Sequence, residues 1–270
     1  MHTTRLSLRT VIIVHRYPNR PLNYRTMHYI TKIDVFWLLD RLRPTATGVD
    51  EIPAWFLRLG APVFAAPLAQ LLNQSIIEGL VPHQWKTAVI TPVLKVTKPL
   101  QPTDFRPISV TPVLSRSLER FIVRSNIYPT FQHPPPGLIF DDQYAFRPSG
   151  STTAALIALF HTVINMLSSN QFVHFSLFSF DFTKAFDTVR RATLMSKMAQ
   201  LQIPDNIYNW IMDSLKNIIT VLRCSSVAEV KASVIQGSRL YILYRILSLQ
   251  LICILRRQGT AYLNMPMTHT

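Results

Sequence analysis

Val173-His174-Phe175-Ser176-Leu177-Phe178-Ser179-Phe180 is an apolar, alternating run that ends on Asp181. Such a run reads as a strand over residues 172–181, buried on at least one face and covered by other elements. A second acid, Asp187, follows six residues later, past Ala185-Phe186. The chain has 14 acidic residues against 28 Lys and Arg, so a carboxylate at a strand tip is a scarce group in a costly place. Two roles fit it. It can cap the following turn by accepting backbone N–H bonds, or it can bind a hard divalent cation that takes oxygen ligands. Spacing alone leaves both open.

The charge narrows the partner. A formal +14 over 270 residues suits a polyanion or an anionic membrane surface, and nucleic acid is the commoner of the two. Hydrophobic residues make up 48% of the chain, too many for a wholly disordered polymer. Cys224 and Cys253 form no paired spacing, which excludes a zinc finger or a disulfide framework and points to an intracellular compartment, nucleus or cytoplasm. Residues 1–33 carry six basic residues and no acid, a degenerate basic leader that mimics a transit peptide, although Pro18 and Pro21 interrupt any amphipathic helix. The apolar run at 240–255 is short of a membrane span and contains Arg245 and Gln250, so no membrane partner is expected.

Along the chain, periodicity predicts helices over 33–42, from Pro53 to Gly60, over 61–79, 113–127, 151–167, 190–201 and 205–215. Lys86 to Lys95 reads as a strand. Residues 99–107 read as a loop and 128–136 as a proline-rich connection. Strands scattered among long helices predict an α+β fold rather than a doubly wound sheet.

Several words in series then carry a resemblance. Phe180-Asp181-Phe182-Thr183-Lys184-Ala185-Phe186-Asp187 resembles the first palm motif of non-LTR (LINE-type, Jockey-like) retrotransposon reverse transcriptases. Trp85 to Lys95 followed by Asp104-Phe105-Arg106-Pro107-Ile108-Ser109 resembles the first fingers block. Asp142-Gln143-Tyr144-Ala145-Phe146-Arg147-Pro148 with Gly150-Ser151-Thr152-Thr153 resembles the second. Ser233-Val234-Ile235-Gln236-Gly237-Ser238 resembles the start of the motif after the palm helix. Four motifs in order across residues 34–238 are far more specific than any one alone.

The resemblance implies a partial right-hand polymerase fold, with fingers and an incomplete palm at 34–238. It implies an RNA template, a DNA primer, a dNTP and Mg²⁺, with Mn²⁺ as a substitute. Asp181 would ligate the metals with the backbone carbonyl of Phe182. Phe186 would lie under the incoming sugar and exclude a ribose 2′-hydroxyl. Arg106 would meet the triphosphate as a bidentate guanidinium. Arg147 would contact template or primer, and Gln236-Gly237 would let the backbone approach the base pair. Read without the motif, Arg106 anchors a loop, Phe186 and Phe146 belong to a core, Asp187 is structural, Lys184 is solvated and Trp85 is a core anchor.

The pattern departs from the family after Ser238. A Tyr-Ala-Asp-Asp hairpin is expected downstream, but from Val230 to Thr270 there are five Lys or Arg and no acid. One Asp cannot hold two ions in line for phosphoryl transfer. The expectation is a domain fragment inactive alone, a non-catalytic nucleic-acid-binding derivative being the alternative and carboxylates borrowed from another chain a third possibility. A frameshift between Ser238 and Gln258 would make 239–270 an out-of-frame tail. Shifted one base earlier, the codons of 264–268 permit Tyr-Ala-Asp-Asp.

Overall fold

The computed structural model describes residues 29–136, 138, 140, 143–145, 147, 150–169, 191–216, 218–222 and 225–229. Eight helices and a four-stranded sheet lie within them, a mixed α+β arrangement. The sequence-predicted strand at 172–181 and the residues after 229 lie outside them.

Helix α1 (Lys32–Asp40) starts where a capping box forms: Asp34 N–H donates to Thr31 Oγ1 at 3.1 Å, and Thr31 N–H donates to Asp34 Oδ2 at 2.9 Å. Its entry is tied to α3 (Ala61–Glu78) through Asn73, whose amide donates to Ile30 O and accepts from Ile30 N–H. A short α2 (Ala54–Leu59) precedes α3. Pro67 sits inside α3 on an exposed face, so the carbonyl of Val63 that loses its helical partner opens to water, and the helix tolerates the ring. Gly79 ends α3 at φ 64°, and Leu80 N–H returns to Ser75 O at 3.0 Å, which satisfies an orphan carbonyl at the helix end.

Strand β1 (Thr87–Leu94) follows a single 3₁₀ turn, His83–Lys86. It pairs antiparallel with β2 (Phe105–Val110) and parallel with β3 (Ile219–Leu222), and β3 turns back into β4 (Ser225–Glu229), giving the order β2-β1-β3-β4. The Arg106-Pro107-Ile108-Ser109 segment, expected as the end of a loop, is therefore most of an edge strand. That placement accommodates Pro107, because an edge strand leaves one row of N–H groups without a ladder partner. Residues 113–127 are helical as expected, but α4 (Val113–Ile122) gives way to a π-helical segment, Val123–Ile127. The expected connection after it instead begins with α5 (Tyr128–Gln132), where Pro129 occupies the first turn, a position that needs no N–H donor.

Helices α6 (Thr152–Ser169), α7 (Arg191–Gln200) and α8 (Asp205–Ser214) complete the described chain. The main core joins distant parts of the described chain: Leu39, Leu72, Leu118 and Phe131 share one buried cluster with Met198 and Trp210. Trp85 is part of it at 8% exposure, the core anchor its sequence context suggested. No described helix is long and apolar enough to cross a membrane.

Candidate nucleic-acid and nucleotide interface

The β1–β2 hairpin presents Arg106. Its register places Arg106 opposite Val93 and Pro107 opposite Pro92. β1 pairs with β3 only as far as Ile90, so residues 91–94 have β2 as their one described strand neighbour, and their outer half is exposed. Arg106 thus stands on a protruding, half-exposed arm close to the hairpin loop.

That loop is stapled by Asp104. Its Oδ2 accepts from Leu100 N–H at 2.9 Å and Gln101 N–H at 3.0 Å, while its carbonyl accepts from Lys95 N–H at 2.8 Å. The two amide donors are the main reason its carboxyl lies below the ordinary carboxylate range, with the charge of Lys95 a smaller contribution. In the sequence Asp104 stands out only as part of a motif word. The signal for its real task was local: Gln101 and Asp104 three residues apart form a capping box on the 3₁₀ turn Pro102–Asp104.

Arg147 is fixed differently. Its Nη1 donates to Phe140 O at 2.6 Å and its Nη2 to Phe131 O at 3.4 Å, beneath a T-shaped Phe131–Phe140 pair with centroids 5.0 Å apart. Gln143 Nε2 donates to Ala145 O, and Gly150 N–H to Arg147 O, folding the motif back on itself. A Cβ at Gly150 would collide with Tyr144 O, so glycine is required by close approach rather than by dihedral angle. Ser151 Oγ accepts from Ala154 N–H at 3.0 Å and caps α6. The motif's polar residues are thus largely spent on building the turn that launches α6.

Asp181, Phe182, Phe186, Gln236 and Gly237 lie outside the described residues. Among the described residues no group of three His, Cys, Asp or Glu could hold a metal. The last acid in the chain is Glu229, so the carboxylate pair expected after Gln236-Gly237 is missing from this sequence. The donor set that the resemblance implies is therefore incomplete for a two-ion site.

The family profile described as "Reverse transcriptase (RNA-dependent DNA polymerase)" matches residues 94–245, from the outer end of β1 onwards. The chain belongs to that family, a class that generally uses divalent metal ions and a fingers-and-palm polymerase fold. Within it the chain is a domain of the non-LTR, LINE type, as its relatives indicate. It is 31% identical over 219 residues to a Drosophila melanogaster protein named "Probable RNA-directed DNA polymerase from transposon BS", covering 76% of this chain and 23% of that one. It is 31% identical over 173 residues to the corresponding protein of transposon X-element from the same species, covering 60% and 18%. With the polymerase of mobile element jockey from Drosophila funebris it shares 28% over 214 residues, covering 77% and 23%. The chain spans at most about a quarter of the length of these curated relatives.

Proposed function

We propose that residues 34–238 are the fingers and an incomplete palm of an RNA-directed DNA polymerase, with an RNA template, a DNA primer and dNTPs as substrates. In this reading Arg106, on its protruding hairpin, meets the triphosphate. Asp181 and the Phe182 carbonyl belong to a Mg²⁺ site that Mn²⁺ can also occupy. Phe186 is the sugar gate, Gln236-Gly237 approaches the nascent pair, and Arg147 serves the template side with the donors its two carbonyl bonds leave over.

The observation that carries the proposal is the absence of any acid after Glu229 in a chain that otherwise keeps the family's motif order. The genetic code permits a cause for it. Asn264-Met265-Pro266-Met267-Thr268 is encoded AAY ATG CCN ATG ACN. Read one base earlier, the two Met codons force GCC and GAC, so the shifted frame spells Ala, one variable residue and Asp whatever the wobble bases are. The wobble base of Asn264 decides between Tyr and His before that Ala. The wobble base of Pro266 decides whether the variable residue is Asp. A frameshift between Ser238 and Gln258 is thus proposed, past which the chain is out-of-frame translation of the segment that holds the catalytic hairpin.

Primer extension tests the reading. The chain as it stands, with primer–template, dNTPs and Mg²⁺, should give no extension. A chain with the frame restored after Ser238 should extend, and Asp181→Asn should abolish that extension. Extension by the unaltered chain alone would overturn the proposal.

A further inference from the structure

A cleft of about 710 Å³ lies between the loop after α1 and the helix that follows β2, within the size range of ligand sites. Arg41, Arg43, Arg116, Arg120 and Arg124 line it together with Tyr128, and none of its lining residues is acidic. Five guanidiniums meeting at one concavity are costly to assemble unless an anion shares the space. Asp50 interacts electrostatically with Arg116, and Arg116 and Arg120 are both engaged by other groups. The exposed Arg41, Arg43 and Arg124 carry the cleft's charge to solvent.

Backbone geometry makes the convergence possible. Arg116, Arg120, Arg124 and Tyr128 are spaced by four. In an α-helix, with 3.6 residues per turn, each such step overshoots a full turn by about 40° and would carry the later residues off the face. The π segment Val123–Ile127 winds more widely, through i→i+5 bonds, so a step of four falls short of its turn and swings Arg124 and Tyr128 back. All four side chains line the same cleft as a result.

The opposite wall is held rigid. Arg116 Nη1 donates to Thr45 Oγ1 at 2.9 Å and its Nη2 donates to Ala46 O, tying down the loop that carries Arg43. Gly48 packs so closely on Thr111-Pro112 that a Cβ would lie 2.5 Å from Pro112 N. The Arg41 guanidinium lies 5.1 Å from the Trp37 ring centroid. Arg43 and Arg124 are exposed at the rim. The cleft is preorganised, with Arg116 a strut and the rim arginines presented to solvent.

It is also separate from Arg106. Arg106 lies toward the hairpin-loop end of β2, and the cleft begins at Val113, beyond the other end. The four residue steps of strand from Arg106 to Val110 span about 13 Å. We propose that this arginine cleft binds the phosphodiester backbone of single-stranded nucleic acid, RNA and DNA alike, as a second contact away from the triphosphate position. Guanidinium forks match phosphate oxygens in pairs. The site needs no catalytic carboxylate and is measured without metal or dNTP, so its fate and that of the polymerase reading are separable.

The test uses the full chain and fluorescein-labelled twelve-nucleotide oligouridine and oligothymidine, with anisotropy read across a salt series. The Arg43→Gln/Arg124→Gln variant should bind both oligonucleotides more weakly. Its slope of log affinity against log salt should shrink by about 0.7 per lost phosphate contact, about 1.4 in all. The Arg43→Lys/Arg124→Lys variant should restore most of the slope, which a purely packing role would not. Arg106→Gln with the cleft intact should keep the cleft's share of the slope. Unchanged slopes in the glutamine variant overturn the proposal, as does a loss that lysine does not rescue. Tighter binding of polyglutamate than of oligouridine at the same arginines overturns it too, in favour of an acidic protein partner.

Discussion

The indole N–H of Trp210 donates to Ser75 Oγ at 2.9 Å, across 135 residues of chain, and the same hydroxyl donates to Leu80 O at 2.5 Å. Both side chains are buried, so one hydroxyl satisfies the indole and fixes the turn after α3. Ser75→Ala would strand the buried indole N–H and should cost about 2 kcal/mol in urea unfolding. Adding Trp210→Phe, which removes the stranded donor, should cost less than the two single changes summed.

A second tie links the same regions. Lys86 Nζ lies 2.7 Å from Asp213 Oδ2, with side-chain exposures of 10% and 15%, and that oxygen also accepts from Val81 N–H at 2.7 Å. Asp213→Ala leaves a nearly buried ammonium and a backbone N–H without their acceptor. It should destabilise by about 3 kcal/mol, and Lys86→Met should recover part of that loss in the same background. Equal losses in the single and double variants, measured by thermal melts, would contradict a coupled pair.

The hairpin loop should loosen in acid. Asp104 is held below the ordinary carboxylate range by the N–H groups of Leu100 and Gln101. A lowered folded-state pKa means the staple contributes fully above the ordinary carboxylate value and is lost as pH falls through the folded one. Asp104→Asn should remove that pH dependence. Amide exchange over residues 96–103, corrected for intrinsic rates, should accelerate several-fold at low pH in the native chain. In the variant it should be fast throughout.

The sequence showed most helices and β1 through apolar spacing and plain stop signals such as Gly79 and Pro44. It failed where the deciding force was tertiary. Residues 105–107 include an arginine and a proline and read as the end of a loop; β1 makes them part of a strand by supplying ladder partners. Short β3 and β4 had too few residues for a period to emerge, and a parallel neighbour 132 positions earlier is invisible locally. The π segment is equally silent, because its wider winding is a departure from the periodicity used to find helices. At the candidate site, motif order gave the family. It did not reveal that Asp104 and Arg147 are committed to backbone groups, or that four-residue spacing along α4 leads to a cleft.

The most direct measurement is the nucleotide sequence coding for residues 238–269. The account predicts T at the wobble position of Asn264 and G at that of Pro266, so that the frame one base earlier reads Tyr-Ala-Asp-Asp. It also predicts an insertion or deletion between the codons of Ser238 and Gln258 relative to intact copies of the element. A shifted frame that reads His for Tyr and a residue other than Asp after the Ala, with no length change in that interval, would contradict it.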